Sequence, residues 1–348
     1  MTLSRFPLAA LAVLLSTAAT EAALTNLPPS PDDTPRAAWF DRYAETRQGP
    51  EQTDRVVQTV KVGRTGTLDL SNISGDVRVT GTSGDEITVE AVKRVRHRDA
   101  DEARRLLEQL RVDITSVGDR VEIRTTYPRR GSGSDRGISA RVDYTISVPA
   151  GAAVAVKTIS GDASVTKVTG EVRAETVSGN VTVTGTPNVT LAKTVSGDVT
   201  ARDVEGAANL SLGTVSGTVI ATGLKARSLE CGSVSGDIQL SGIQVERLLA
   251  KSVSGSIEFG AALARGGRYD FGSHSGDIRI VLSSQTGFEL DASTFSGSVR
   301  SDFPVTLRAD SADRDRRNST RTIRGSFGDA SALLSLKTFS GTVVISRK

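Results

Sequence analysis

The stretch Lys193–Thr200 reads KTVSGDVT, and its phrase returns along the second half of the chain: KTISGDAS from Lys157, ETVSGNVT from Glu175, GTVSGTVI from Gly213, GSVSGDIQ from Gly232 and KSVSGSIE from Lys251. An apolar residue (once His) followed by Ser-Gly places its Ser at 160, 178, 196, 216, 235, 254, 275 and 296, at intervals of 18, 18, 20, 19, 19, 21 and 21. A repeat of about 20 residues is the period of a solenoid, in which each unit is one coil stacked on the last. One earlier copy at Ser74 and one later copy at Ser340 stand outside the run.

Aligning the copies on Ser gives columns of one character. Four residues before it stand Val156, Ala174, Ala192, Leu212, Cys231, Ala250, Phe271 and Ala292; three after it stand Ala163, Val181, Val199, Val219, Ile238, Ile257, Ile278 and Val299. With the equally apolar columns six before and five after, the alternation predicts two strands per coil, each sending every second side chain inward to a narrow continuous core. The expected fold is all-β: a parallel β-solenoid with coils of 18–21 residues. The pairs Ser160–Gly161, Ser178–Gly179, Ser196–Gly197, Ser216–Gly217, Ser235–Gly236, Ser254–Gly255, Ser275–Gly276 and Ser296–Gly297 are read as structural turns. Glycine takes the corner and Ser bonds the local backbone. The repetition of the phrase is thus the repetition of a turn, and not of an active site.

Two further columns bear on function. Two before the Ser, every coil carries a hydroxyl: Thr158, Thr176, Thr194, Thr214, Ser233, Ser252, Ser273 and Thr294. If this ladder faces outward it is a candidate interaction surface. Two after the Ser stand Asp162, Asn180, Asp198, Thr218, Asp237, Ser256, Asp277 and Ser298, acidic and neutral in strict alternation. Neighbouring carboxylates about 4.8 Å apart would repel by about 3.5 kcal/mol at an effective dielectric of about 20, so the alternation reads as relief of self-repulsion. Carboxylates two coils apart are too distant to share a calcium ion. Cys231 falls in an inward column and reads as core. His274 stands where other coils place Ile or Val and reads as a partly buried packing position, while His97 in KRVRHRDA reads as solvated. The two histidines form neither a triad nor a zinc site, and no catalytic, cofactor-binding or metal-ligating residue is assigned.

The remaining chain fits an exported protein. MTLSRFPLAALAVLLSTAATEAA has a positive start, a short apolar run and small residues, and reads as a signal peptide over 1–23 with cleavage between Ala18 and Ala23; the run is too short for a membrane anchor. Residues 24–54 read as a disordered linker with one aromatic cluster, Trp39, Phe40 and Tyr43, expected to dock on the body. Residues 55–150 read as a β-rich segment containing one helix near 99–110, with Asp99 as N-cap and Ala103, Leu106, Leu107 and Leu110 as its apolar stripe. Tyr127–Gly137 reads as a mobile loop, and 151–348 as the solenoid, with a charged insertion near 308–321. In that insertion Arg314, Arg316 and Arg317 make a basic candidate surface. With 43 Lys+Arg against 40 Asp+Glu, the charges are interspersed, which excludes the positive stripe of a nucleic-acid binder. The single cysteine excludes an internal disulfide.

LDLSNISGDVRVTG, the helix, DYTISVPAGAAVAVKTISGDASV and the serial VSGDV coils resemble the bacterial putative-adhesin family, also called the toast-rack β-strand-repeat domain, from about Val56 to the C-terminus. The resemblance implies an envelope-associated β-solenoid, linked in some members to envelope stress systems, and brings no catalytic residues. The resulting expectation is an exported, non-catalytic, adhesin-like binding or scaffolding module of the cell envelope, periplasmic or on the surface. Its partner would be an envelope protein, a polysaccharide or a second copy, with no cofactor. The alternative is a polysaccharide-active β-helix enzyme, a lyase or hydrolase. It would use clustered charges such as Arg265, Arg268 and Asp270 with the Arg308–Arg321 loop.

Overall fold

The computed structural model describes residues 50–128, 139–283, 286–307 and 321–348. These belong to one compact unit, Gln48–Lys348. The signal peptide, the aromatic cluster at Trp39–Tyr43 and the basic residues Arg314, Arg316 and Arg317 lie outside the described residues.

Each Ser-Gly phrase joins one strand of each of two sheets. In the coil of Ser160, β8 (Ala153–Ser160) ends at the Ser and β9 (Ala163–Thr166) begins two residues beyond Gly161. The coils follow in chain order from β10 (Val172–Ser178) and β11 (Val181–Thr184) to β20 (Arg268–Ser275) and β21 (Ile278–Leu282), all paired in parallel. The apolar columns face inward as their alternation requires: Val156, Ala174, Ala192, Leu212, Cys231 and Ala250 are buried against Ala163, Val181, Val199 and Val219. Burial, with the neighbouring Glu230 charge adding to it, raises the Cys231 thiol well above its ordinary pKa, which leaves it a core residue. The later coils, with the longest spacing, hold the bulkiest core, where Phe259 meets Tyr269 and Phe271 edge-on at 5.8 and 5.4 Å.

The corner explains the glycine. Gly161, Gly179, Gly197 and Gly217 have φ between 138° and 143°. A Cβ on any of them would lie 2.0–2.2 Å from the carbonyl oxygen of the glycine one coil back. The glycines therefore form a close-packed column of bare backbone. They are tied by bonds such as Gly179 N–H to Ser196 O and Gly197 N–H to Ser216 O, each 2.9 Å. The Ser side chains do not bond the local backbone as expected; each Ser contributes only its main chain to the pairing.

The two copies outside the run are both coils of the same stack. β2 (Thr67–Ser74) and β3 (Val77–Thr82) form the first coil, with Ser74 opposite Ser160. The 55–150 segment therefore shares both sheets with the solenoid. β4 (Glu86–Arg96) leaves this coil, and helix α1 (Ala100–Gln109) follows, capped by Asp99, whose carboxylate accepts the N–H groups of Asp101 and Glu102. β5 (Arg111–Val117) and β6 (Arg120–Thr126) form a hairpin against β2, and β7 (Ser139–Pro149) returns beside β3. β1 (Glu51–Lys61) closes this end antiparallel to β4. Glu51–Asp54, expected in the linker, are thus strand. Their charges serve cross-strand ion pairs, Glu51 with Arg96 at 2.7 Å and Asp54 with Lys93 at 2.5 Å. Tyr127 is not part of a mobile loop. Its hydroxyl donates to Ser74 O at 2.6 Å and Asn72 Oδ1 at 3.0 Å, plugging the first corner, and its burial raises its pKa to about 12.

At the far end the chain leaves its own order. β22 (Phe288–Ser296) and β23 (Val299–Ser301) are placed one step too far to pair with β20 and β21. The chain reverses through β24 (Thr306–Leu307) and β25 (Arg321–Phe327), so that Arg321 lies in a strand and not in the insertion. β26 (Ala332–Ser340) and β27 (Val343–Arg347) then fill the gap, with Ser340 opposite both Ser275 and Ser296. The stack therefore runs 74, 160, 178, 196, 216, 235, 254, 275, 340, 296. Phe288, Phe303 and Phe327 pack together under the antiparallel β25, with ring centroids 4.9–5.5 Å apart.

Candidate interaction surface

The hydroxyl column faces inward. Thr158, Thr176, Thr194 and Thr214 are all buried, so they form no exposed ladder. Each hydroxyl after the first donates to the corner glycine one coil back: Thr176 to Gly161 O at 3.1 Å, Thr194 to Gly179 O at 2.8 Å, Thr214 to Gly197 O at 2.9 Å. The column exists because the bare corner leaves a carbonyl to be satisfied, a bond contributing about 1 kcal/mol. Thr158 is the exception. Asn72 occupies this position in the first coil and donates to Gly75 O at 3.2 Å, and Thr158 Oγ1 is buried with no partner among the described residues.

The acidic column has a backbone role as well. Asp162 Oδ1 accepts Asn180 N–H at 2.7 Å, Asn180 Oδ1 accepts Asp198 N–H at 2.8 Å and Asp198 Oδ1 accepts Thr218 N–H at 2.8 Å. This bears out the stacking register but not the repulsion argument. The column continues into Asp76, whose Oδ1 accepts Asp162 N–H, and Asp143, whose Oδ1 accepts Asp76 N–H, so three carboxylates follow one another. Accepting a corner N–H accounts for Asp or Asn where they stand in this column, and Arg94 at 2.9 Å from Asp143 compensates the accumulated charge.

The exposed column is the apolar residue of the phrase itself. In stacking order it runs Ile73, Ile159, Val177, Val195, Val215, Val234, Val253, His274, Phe339 and Phe295; its aliphatic and Phe members are 43–51% exposed. His274 is therefore not a packing variant. Its ring is exposed and lies flat on Phe339 at 5.0 Å, which in turn lies flat on Phe295 at 4.8 Å. The parity of the strand could have shown this, since a residue between two inward positions must point out. A contiguous apolar ladder of this length is the kind of patch that marks an interaction site.

Beside the ladder runs a second outward column, three before the Ser: Ser71, Lys157, Glu175, Lys193, Gly213, Gly232, Lys251, Gly272, Lys337 and Ser293. The four lysines have no ion-pair partner within 4 Å among the described residues. A trough of about 800 Å³ lies between the two columns from Ile73 to Val215, with Arg124 and Thr125 of β6 at its capped end. A second hollow of about 340 Å³ continues it over Gly213 and Gly232 to Lys251. The charged groups considered for an enzyme are paired otherwise: Arg268 with Asp270 at 3.1 Å, Arg265 with Asp329 at 3.8 Å. His97 is half-buried and accepts Asp99 N–H at 3.2 Å. No helix among the described residues is long and apolar enough to cross a membrane, and no group of three His, Cys, Asp or Glu among them is placed to hold a metal.

No curated protein matches the chain. Among solved structures, one described as a "putative adhesin" from Parabacteroides distasonis ATCC 8503 is 17% identical, with 84% of this chain and 97% of that chain covered and a TM-score of 0.42. A "putative lipid binding protein" from the same strain is 12% identical, covering 85% and 97%, at a TM-score of 0.41. A "putative adhesin" from Bacteroides fragilis NCTC 9343 is 11% identical, covering 85% and 97%, at 0.38. The sequence profile of one family matches residues 67–346, from the first coil to the strand that fills the far gap. With most of its length so matched, the chain belongs to the Toastrack DUF4097 family.

Proposed function

We propose that the chain is an exported, non-catalytic module of the bacterial cell envelope that binds or scaffolds an extended partner along one outward face of its stack. The observation that carries this reading is the exposed ladder from Ile73 to Phe295 with unpaired lysines beside it. A solenoid offers such lines of side chains where an enzyme needs a pocket of converging groups. The carboxylates most regularly placed, those of the corner column, are engaged in accepting backbone N–H groups. Antiparallel strands cover one sheet at the first end, β1 on β4, and the other at the far end, β25 on β22, which favours a partner on the face over growth end to end.

The test is incubation of the mature protein with acidic polysaccharides and with peptidoglycan, measuring retention and released fragments together. Retention without release is the expected result, weakened by Val195→Asp. Fragment release that vanishes with a single carboxylate substitution would replace this reading with a polysaccharide-active enzyme.

A further inference from the structure

Gly213 and Gly232 are unlike the corner glycines. Neither has positive φ; a Cβ on Gly213 would make only ordinary contacts at 3.6 Å, and one on Gly232 would meet nothing within 4 Å. Their backbone does not call for glycine, and glycine weakens a strand interior. Such a residue marks a place where something approaches the sheet closely. They lie where the trough passes between Lys193 and Lys251, beside Val215 and Val234. A second feature lies at the capped end, where Lys157 and Arg124 line the trough. Both are donors, although Arg124 Nε also donates to Glu122 Oε1 at 2.6 Å and Glu175 stands between Lys157 and Lys193.

We infer that this trough binds one long-chain amphiphile with an anionic head group. The head lies at Lys157 and Arg124, and the hydrocarbon runs along Ile159, Val177, Val195 and Val215 onto the Gly213–Gly232 gap. The inference rests on reading the chain as a binding module, and names a ligand class for that face. The four steps from Ile159 to Val234 span about 19 Å at the usual strand spacing, comparable to the hydrocarbon depth of one membrane leaflet at about 15 Å. A polymethylene chain has no repeat to match. An extended peptide presents one face every 6.6 Å or so and drifts out of step with rungs about 4.8 Å apart. The ring faces of Phe339 are covered by His274 and Phe295, so that ring offers a sugar no face to stack on. A second copy is opposed by charge. Turned end for end about the glycine pair, it sets Lys193 against Lys251 and Lys157 against Lys337; aligned in the same sense, it sets each lysine against itself.

The test is calorimetric titration of the mature protein with dodecyl phosphate, below its self-assembly concentration, against dodecyltrimethylammonium of the same chain length. One dodecyl phosphate per chain is expected, with at least roughly tenfold preference over the cation. Gly213→Val with Gly232→Val should leave the melting temperature unchanged or raised and weaken dodecyl phosphate roughly tenfold or more. Lys157→Ala with Lys193→Ala should weaken the phosphate and leave the cation unaffected. Equal binding of the two amphiphiles, many molecules per chain, or undiminished affinity in the folded glycine variant would overturn the inference. So would binding only to phosphatidylglycerol vesicles, which assigns the face to a bilayer. Polymer retention that persists without amphiphile binding would sink this inference while leaving the proposed function standing; loss of both sinks both.

Discussion

In the middle of the stack, from the coil of Ser160 to that of Ser275, chain order and stacking order agree, and the rungs share a few bonds: glycine on glycine, hydroxyl on glycine carbonyl from Thr176 onward and, wherever Asp or Asn stands two after the Ser, its side-chain oxygen on the next N–H. At the two ends neither regularity survives. The first coil carries Asn72 in place of a hydroxyl and is completed by Tyr127 from outside the repeat, and the last is displaced so that the coil of Ser340 lies inside it. The same columns serve both regions. What differs is that a middle rung finds its neighbour about 20 residues away, whereas Ser340 bonds across to Ser275 and Ser296 only after an antiparallel detour. A repeated phrase specifies how a rung pairs; the connection between rungs specifies with which.

The largest effect that would break this contrast comes from deleting residues 332–348. Without β26 and β27, β22 and β23 lose the strands that join them to β20 and β21. Hydrogen exchange should then become fast over residues 288–307 and stay slow over residues 163–238. Continued protection of β22 would show that it pairs directly with β20.

Next in size is Gly197→Val in the middle. The added Cβ meets Gly179 O at about 2.2 Å in a backbone of φ 141°, and the loss should reach about 3 kcal/mol or more. Gly232→Val, on the open face, should change stability by about 0.5 kcal/mol or less. Denaturant unfolding of the two variants separates a glycine the fold requires from one it does not; equal midpoints would refute the distinction.

A smaller effect separates the ends from the middle by pH. Burial raises Tyr127 to about 12, above the roughly 10 of an unfolded tyrosine, so the folded state favours its neutral form. That contribution is complete below pH 10 and fades as pH rises toward 12. Melting curves over this window should fall, and Tyr127→Phe, though less stable at neutral pH, should show a shallower fall. An unchanged slope would remove Tyr127 from the plug.

Smallest is Asn180→Asp. The acceptor for Asp198 N–H remains, while Asp143, Asp76, Asp162 and Asp198 become one unbroken acidic run. A loss of about 0.5 kcal/mol at low salt, shrinking in high salt, is expected from thermal melts. No salt dependence would mean that the column is too well solvated to interact.

Much of the architecture was legible because its rules are local. The inward columns, the corner at Ser-Gly and the helix capped by Asp99 all follow from spacing and side-chain type within a few residues. Spacing gives the buried Thr column its register, but its direction depends on the glycine carbonyls it serves, which belong to the neighbouring coil. The backbone acceptor role of the Asp column likewise needs the neighbouring coil's N–H, which no single coil contains. The position of Ser340 was illegible for a deeper reason: ten copies of one phrase are interchangeable as partners, and only the strand β25 and the stack of His274, Phe339 and Phe295 select among them. The apolar ladder is present in every quoted phrase; apolar character points inward at His274, and strand parity points outward.

The displaced coil also sets a timetable. The strand that joins the far end to the rest is made after the coil it secures, so between the synthesis of Ser296 and that of Ser340 the coil at Ser296 has no neighbour to pair with. The body can assemble rung by rung as it emerges, since each rung meets its neighbour after one coil's worth of synthesis. The far end must wait for β26 and β27 and then close by a single insertion of two strands between two waiting ones. Folding of this protein should therefore show a fast progressive phase and one late step, the insertion of β26 and β27, and a chain cut before β26 would be recognisable by its open end.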